Sequence, residues 1–188
     1  MVVGRFPAVR IAFSGSHRVG KTTLIESVAE RLPGHGTVDE PYYLLEEEGY
    51  EFAEEPSLED FEAQLARSLA ALDDAGPDVL FDRCPVDILA YLLVHRDASA
   101  FDLDARLEQI RDAVQTLDLI VFVPIEDSVR VGPTTLEEAA HRRAVHDRLC
   151  DLLLDRELGV DVEVVTVRGD VQARTEQVVE RATRRAPR

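Results

Sequence analysis

The sequence predicts a three-layer α/β domain built on a mostly parallel sheet of five strands. Short apolar runs of strand length alternate along the chain with longer stretches whose apolar residues recur at helical spacing. Several strand runs are apolar throughout, which is typical of parallel strands covered by helices on both faces. No internal repeat or linker composition divides the 188 residues. We therefore expect residues 1–188 to form one domain, with a frayed tail at about 184–188.

A glycine-rich loop near the start of the chain carries the strongest functional signal. Residues 15–22 read G-S-H-R-V-G-K-T, which fits the phosphate-binding pattern G-x-x-x-x-G-K-[ST], the P-loop. An apolar strand over residues 9–13 precedes this loop, and apolar residues at helical spacing follow it from 24 to 32. This order of strand, loop and helix makes a chance match the weaker explanation, and it predicts the P-loop NTPase version of the three-layer fold.

The chemistry of a P-loop explains its residue types. Glycine lets successive backbone N–H groups approach a polyphosphate, and the following helix adds the positive end of its dipole. Lys21 can reach the β- and γ-phosphates, and the Thr22 hydroxyl can ligate Mg²⁺. The residues predicted to bind the nucleotide are Gly15, Ser16, His17, Arg18, Val19, Gly20, Lys21, Thr22 and Thr23.

A second strand leads to a candidate catalytic acid. Residues 37–40 follow a breaker cluster, and Pro41 favours an extended Glu40 at the carboxyl end of this strand. Ligands of open α/β sheets bind at this edge, although a lone glutamate there is also commonly a solvated loop residue. Residues 42–56 are rich in aromatic and acidic side chains and predict a loop or irregular helix over the site. A capping-box pattern at residues 57–60 then begins an amphipathic helix.

The third strand also ends in a carboxylate. Residues 78–82 form an apolar run that closes with Asp82, similar to the strand that carries the Mg²⁺-side acid of P-loop enzymes. Arg83 follows directly, where its donors can hold an acceptor or a phosphoryl oxygen. Pro85 suits the first turn of the next helix. The alternative is that Asp82 caps this helix and that Arg83 pairs with Asp87.

The second half of the chain continues the alternation of helices and strands. A helix begins at residues 102–104, and a fully apolar strand follows over residues 119–123. The last strand covers residues 161–167, and Gly169 then begins the turn into a final helix. These elements complete the five strands that the predicted sheet requires.

Arginines near the start of a long helix suggest a lid over the phosphates. The polar segment 125–133 contains Arg130, and the helix after it begins at Thr134 or Thr135. Arg142 and Arg143 lie in the first half of that helix. The alternative is that these arginines pair with acidic neighbours on a solvated helix surface.

Composition excludes several classes of function. The net charge of −16 and the pI near 4.6 argue against binding nucleic acid through its phosphates. Cys84 and Cys150 form no C-x-x-C pair, so neither a zinc site nor a disulfide framework is indicated. No apolar run approaches the roughly 20 residues that span a bilayer, and the N-terminus lacks a signal-peptide pattern. We expect a cytoplasmic protein with no membrane partner.

The combination of these motifs resembles a known group of enzymes. The P-loop, Glu40 before Pro41, the Asp82–Arg83 pair, the arginine-bearing helix and the terminal strand before Gly169 are similar to the deoxynucleoside and thymidylate kinases. Residues 81–91 resemble more closely the AAA-domain, ATPase/kinase-like proteins that include the ribosylnicotinamide kinase domain of bacterial NAD regulators. The resemblance covers nearly the whole chain.

The resemblance implies a site in which ATP and Mg²⁺ act on a small acceptor. Lys21 and Thr22 match the family's phosphate and Mg²⁺ binders, and Glu40 matches the acid that activates the acceptor hydroxyl. Asp82 with Arg83 matches the metal-side acid and the acceptor-side arginine. The resemblance thus implies metal binding by Thr22 and Asp82, and the implied catalytic residues are Lys21, Glu40, Asp82 and Arg83 with the lid candidates Arg130, Arg142 and Arg143.

Two departures from the family bear on the acceptor. The chain has no tryptophan, whereas deoxynucleoside kinases usually place one shortly after the Glu-Pro pair, and Cys84 stands where they commonly have serine. The phosphoryl-transfer residues are kept, but recognition of a nucleoside base is placed in doubt.

The sequence thus predicts an ATP- and Mg²⁺-dependent kinase that phosphorylates a hydroxyl of a nucleoside-like or other small acceptor. A second hypothesis is a P-loop NTPase that acts as a nucleotide-dependent switch or regulator with a protein partner. No obvious N-K-x-D guanine signature is present, which argues against the GTPase version of this switch. ATP is the expected nucleotide, with GTP as an alternative. The sequence leaves open whether the chain forms a homodimer.

Overall fold

The computed structural model describes residues 8–126 and 135–184. Within these residues the chain forms five strands and seven helices, with a short 3₁₀ turn at Ala98–Ala100. The strands are β1 (Arg10–Ser14), β2 (Gly36–Val38), β3 (Val79–Asp82), β4 (Leu119–Phe122) and β5 (Glu163–Thr166). The helices are α1 (Lys21–Arg31), α2 (Pro41–Glu47), α3 (Leu58–Asp74), α4 (Pro85–Val94), α5 (Leu103–Gln115), α6 (Leu136–Leu153) and α7 (Val171–Arg184).

The sheet is parallel at every pairing and has the strand order β2-β3-β1-β4-β5. In its register Phe13 of β1 lies opposite Asp82 of β3 and Val121 of β4. The carboxyl ends of the central strands therefore meet at one edge of the sheet. The loop after β1 and the residues after β3 emerge side by side there, which places the P-loop next to Asp82.

Helices cover both faces of the sheet, as the sequence predicts. Side chains on one face, such as Ala12, Phe81 and Ile120, are buried against α3, α4, α5 and α6. Their sequence neighbours point to the other face, where Ile11 and Leu80 are buried against α1 and α7. Because side chains alternate across a strand, strands with two covered faces must be apolar throughout. The three-layer α/β prediction is confirmed.

The segment around Glu40 differs from the sequence-based expectation in one respect. Strand β2 is a short edge strand that ends at Val38, so Glu40 follows it after one residue. Pro41 is the first residue of a regular helix, α2. The sequence had predicted a loop or irregular helix over residues 42–56. Proline fits the first helical turn since no N–H is needed there. Glu40 becomes the N-cap residue of α2 in an extended conformation.

The other helix starts also show which capping residues act. The capping box of Ser57 and Asp60 forms at α3 as predicted, and α6 begins after Thr135, whose hydroxyl accepts from the N–H of Glu138. Helix α4 is capped by Cys84 and Asp87, so the alternative in which Asp82 is the cap is wrong. Arg130, Thr134 and the tail 185–188 lie outside the described residues. In the part of the chain that is described, no helix is long and apolar enough to cross a membrane.

Candidate nucleotide and acceptor site

The loop after β1 has a backbone that only glycine can form at its first position. Gly15 has φ 154°, and a β-carbon there would lie 2.5 Å from the carbonyl oxygen of Val123. Gly20 has φ 87° and is the N-cap residue of α1, so the loop turns into the helix through a left-handed residue. The Val19 side chain is buried in the core and attaches the middle of the loop to it. The loop is thereby fixed before any ligand arrives.

Lys21 lies under this loop and is 5 % exposed. Its Nζ donates to the carbonyl oxygens of Gly15 at 3.0 Å and Ser16 at 3.1 Å. Burial, followed by the nearby positive charge of Arg83, lowers the pKa of Lys21 to about 8. The ammonium group therefore contacts neutral carbonyls, while the carboxylates of Asp87, Asp82 and Glu40 partly oppose the lowering of its pKa. A bound polyphosphate would add further negative charge.

The lowered pKa of Lys21 makes nucleotide affinity depend on pH. A bound triphosphate favours the charged ammonium, so its pKa rises on binding and a proton is taken up. Because the free site loses this proton as the pH rises through about 8, we expect affinity for MgATP to fall above that pH. Lys21 is the only lysine of the 188 residues, so ¹³C-labelled lysine gives one side-chain signal whose titration reports the pKa directly. A titration near the ordinary value of 10.5 in the free protein would contradict this account.

Thr22 and Asp82, the two residues predicted to bind a metal, are in contact. The Thr22 hydroxyl donates to Asp82 Oδ2 at 2.8 Å, across 60 positions of sequence. Asp82 Oδ1 is buried and has no hydrogen-bond partner, and burial raises the pKa of this carboxyl. Among the described residues no group of three or more His, Cys, Asp or Glu side chains could hold a metal by itself. A hydroxyl beside an unpartnered carboxylate oxygen fits Mg²⁺ that arrives already bound to phosphates, since this ion keeps several waters and takes few protein ligands.

Glu40 and Arg83, which the sequence places at two strand ends, meet across the edge of the sheet. Arg83 Nε lies 2.9 Å from Glu40 Oε1. At this distance the two charged groups form an ion pair. The Nε–H bond is not aligned with the carboxylate oxygen, so the contact is not a hydrogen bond. Arg83 Nη1 donates to the carbonyl oxygen of Gly15 at 3.2 Å. One guanidinium thus links the P-loop to the acid on the neighbouring strand.

Arg83 is held in place at some conformational cost. Its φ of 75° is in the left-handed region, which is uncommon for a residue with a side chain. Its Nη1 also lies 3.7 Å from Asp87 Oδ1, so the pairing with Asp87 exists together with the contact to Glu40. Strain of this kind persists only where surrounding contacts determine the conformation, and it is typical of functional sites.

An aromatic wall adjoins Arg83, and the sequence analysis did not identify it as part of the site. The Arg83 guanidinium lies over the ring of Tyr91, 5.2 Å from its centre, and Phe61 stacks on the same tyrosine. The Tyr91 hydroxyl is 3.3 Å from Nδ1 of His17 in the P-loop. Burial and the adjacent arginines lower the pKa of His17 to about 4, so the imidazole is neutral at physiological pH. Asp87 and Tyr91 are four residues apart on α4, and this helical spacing is the sequence signal that could have indicated their shared face.

The lid arginines differ in where the structure places them. Arg142 Nε donates to the carbonyl oxygen of His17 at 3.0 Å, and its Nη2 lies 3.4 Å from that of Arg18. Arg143 is exposed and makes no hydrogen bond or ion pair with the described residues. Helix α6 therefore brings one of the two arginines onto the P-loop, while Arg130 lies outside the described part of the chain.

A second buried arginine supports the P-loop from the opposite side. Arg174 of α7 donates from Nη1 to the carbonyl oxygen of Val19 at 2.9 Å, and its Nη2 donates to Glu126 Oε2 at 3.0 Å. Glu126 in turn accepts from the N–H of Gly169 at 3.3 Å. Sequence reasoning missed this support, because Arg174 lies 155 positions from the carbonyl that it contacts and belongs to no motif.

The fold and this site together define a P-loop protein of the kinase-like three-layer class. The P-loop lysine Lys21, the acid Asp82 and the Glu40–Arg83 pair all lie at one edge of a five-stranded parallel sheet. Residues 10–174 match the AAA domain family, and the chain belongs to that family. The family resemblance seen in the sequence is confirmed.

Solved structures of kinases share the fold. Deoxyadenosine kinase from M. mycoides, with dCMP and dCDP bound, has a TM-score of 0.60 and 14% identity, over 91% of this chain and 96% of that chain. The NadR protein in complex with NAD and AMP-PNP has a TM-score of 0.63 and 18% identity, over 90% of this chain and 47% of that chain. Thymidylate kinase from Candida albicans has a TM-score of 0.59 and 16% identity, over 93% and 90%. No curated protein matches the sequence.

Proposed function

We propose that the protein is an ATP- and Mg²⁺-dependent kinase that transfers the γ-phosphoryl group to a hydroxyl of a nucleoside-like or other small acceptor. The observation that carries the proposal is the Glu40–Arg83 pair, 2.9 Å apart and joined to the P-loop through Gly15. Beside the P-loop, this pair offers an acid that can accept a proton and an arginine that can hold the group bearing the hydroxyl. A kinase needs a group there that accepts the proton of the incoming hydroxyl.

Five charged side chains of the site each have a part in this reaction. Glu40 orients the acceptor hydroxyl and takes its proton, and Arg83 holds Glu40 while facing the transferred group. Lys21 stabilises the charge on the phosphates, and Arg142 does so from the lid. Thr22 and Asp82 would hold the Mg²⁺ that accompanies ATP, and this ion would supply further neutralisation of the phosphate charge. Phosphoryl transfer requires mainly such positioning and charge stabilisation.

Two aromatic side chains and a histidine lie next to Arg83. Tyr91 and Phe61 stack on each other and are both buried, and the half-buried His17 offers a neutral donor or acceptor beside the Tyr91 hydroxyl. The structural neighbours include deoxyadenosine kinase solved with dCMP and the NadR protein solved with NR. These features make a nucleoside-like compound the first acceptor to test.

The test of the proposal is transfer of label from [γ-³²P]ATP to a panel of nucleosides, nucleotides, sugars and other small alcohols. We expect a labelled organic product with at least one acceptor and none with the Glu40→Gln variant. Label found only as free phosphate, at a rate that no acceptor changes, would overturn the kinase assignment. That result would favour the nucleotide switch, and the next experiment would be a search for its protein partner.

The two lid arginines provide a matched pair of variants. Arg142→Ala should lower kcat about tenfold or more with a smaller change in KM for ATP, because one charge-assisted hydrogen bond to the transition state is lost. Arg143→Ala on the same helix should leave both constants unchanged, since Arg143 is exposed and makes no hydrogen bond or ion pair with the described residues. Steady-state kinetics of both variants checks this. Equal kcat in Arg142→Ala and wild type would show that Arg142 takes no part in phosphoryl transfer.

A further inference from the structure

A fully buried carboxylate next to the site has no part in the function proposed above. Asp87 of α4 is 0 % exposed. Its Oδ2 accepts from the N–H of Cys84 at 3.1 Å, which completes the capping box of the helix. Its Oδ1 accepts from the N–H of Gly15 at 2.9 Å, across 72 positions of sequence. The same oxygen lies 3.7 Å from Arg83 Nη1.

Through this contact the first glycine of the P-loop is held at both ends of its backbone. Asp87 accepts its N–H, while Lys21 Nζ at 3.0 Å and Arg83 Nη1 at 3.2 Å donate to its carbonyl oxygen. Arg83 extends the chain of contacts to Glu40. A shift of Gly15 therefore changes the surroundings of the lysine on the nucleotide side and of the arginine on the acceptor side at the same time.

A helix cap alone does not require this arrangement. Helix α3 has the same kind of capping box, in which Asp60 Oδ2 accepts from the N–H of Ser57 at 2.9 Å. The second oxygen of Asp60 faces the N–H of Ala53 and the hydroxyl of Tyr50, within the neighbouring segment. In α4 the second oxygen reaches another element and contacts its functional loop. Burying a carboxylate is costly, and burial raises the pKa of Asp87.

We propose that Asp87 is a positioning residue that sets Gly15 and Arg83 in one arrangement and so couples the nucleotide side of the site to the acceptor side. The acceptor half of this proposal rests on the proposed function. The part of the proposal that concerns nucleotide binding depends only on the contact between Asp87 and Gly15. Asp87 itself touches neither nucleotide nor acceptor.

The Asp87→Asn variant keeps the shape but removes the charge and leaves only one accepting oxygen for two N–H donors. We expect the dissociation constant for MgATP, measured by calorimetry, to rise about tenfold. We expect kcat to fall further, by about 10²-fold, because Arg83 loses its orientation. In an Arg83→Lys background the same substitution should change kcat much less, since the effect passes through Arg83.

Asp60→Asn is the matched control, because it removes the equivalent cap of α3. It should lower the melting temperature but leave MgATP affinity and kcat per folded molecule near wild type. If Asp87→Asn behaves in the same way, or if its effect on kcat multiplies with that of Arg83→Lys, Asp87 is a helix cap and the proposal is wrong.

Asp87→Glu keeps the charge and the capping pattern, and it serves if Asp87→Asn does not fold. The extra methylene displaces the carboxylate from Gly15, so MgATP affinity and kcat should still fall. Wild-type values of both in Asp87→Glu would overturn the proposal. If the wild-type protein phosphorylates no acceptor, the kinase assignment fails separately, and the calorimetric comparison of Asp87→Asn with Asp60→Asn still decides the role of Asp87 toward the nucleotide.

Discussion

Replacement of Glu40 by glutamine is expected to lower the phosphoryl-transfer rate by about 10²–10⁴-fold, the range typical for loss of a general base. Glutamine keeps the size and the contact with Arg83, but it cannot accept the proton of an acceptor hydroxyl. The Glu40 side chain is 24 % exposed and pairs with Arg83, and the proposed function assigns it to the acceptor. Nucleotide affinity and the Mg²⁺ requirement should therefore remain near wild type.

Asp82→Asn is the comparison for this variant, because Asp82 ends β3 and Glu40 follows β2 at the same edge of the sheet. Asp82 contacts Thr22 at 2.8 Å and has a second, unpartnered oxygen, so its loss should raise the Mg²⁺ concentration needed for half-maximal activity. The measurement is the transfer rate against Mg²⁺ concentration for both variants. If Glu40→Gln transfers phosphate at the wild-type rate while Asp82→Asn is inactive with an unchanged Mg²⁺ requirement, the two roles must be exchanged.

Lys21→Ala is expected to have an effect of similar size, but through the nucleotide. Two charge-assisted hydrogen bonds to phosphate at about 1.5–3 kcal/mol each amount to roughly 10²–10⁴-fold in kcat/KM for ATP. In the free protein the same Nζ donates to Gly15 and Ser16, so the lysine needs only a small movement to exchange carbonyls for phosphate oxygens.

The expected loss must come from the charge of Lys21 and not from a cavity under the P-loop. Lys21→Met fills most of the same volume without a charge, and it should lose as much MgATP affinity as Lys21→Ala in calorimetry. Wild-type affinity in either variant would show that residues 15–22 do not bind the triphosphate as described.

Local signals in the sequence predicted most of the fold and part of the candidate site. The P-loop pattern, the apolar strands and the capping boxes depend on residues close together in the chain, and the rule that parallel strands end at one edge brought Glu40 near Arg83. A loop or irregular helix was expected in place of the regular helix α2, because its first residue, Pro41, was interpreted only as the end of a strand. The contacts of Asp87 and Arg174 with the P-loop join positions 72 and 155 residues apart, and no periodicity encodes such pairings.

The scarcity of lysine makes the P-loop a uniquely addressable chemical position. Of the 21 basic residues in the 188-residue sequence, all but Lys21 are arginines, whose guanidinium groups do not form imines with aldehydes. Because the pKa of Lys21 is lowered to about 8, a substantial fraction of this amine is neutral and nucleophilic at slightly alkaline pH. A nucleotide analogue that carries an aldehyde can therefore attach to one side chain of the chain, and borohydride reduction would make the adduct permanent. Bound ATP would protect Lys21 from the reagent, so the fraction of protein left unlabelled would measure the fraction of occupied sites.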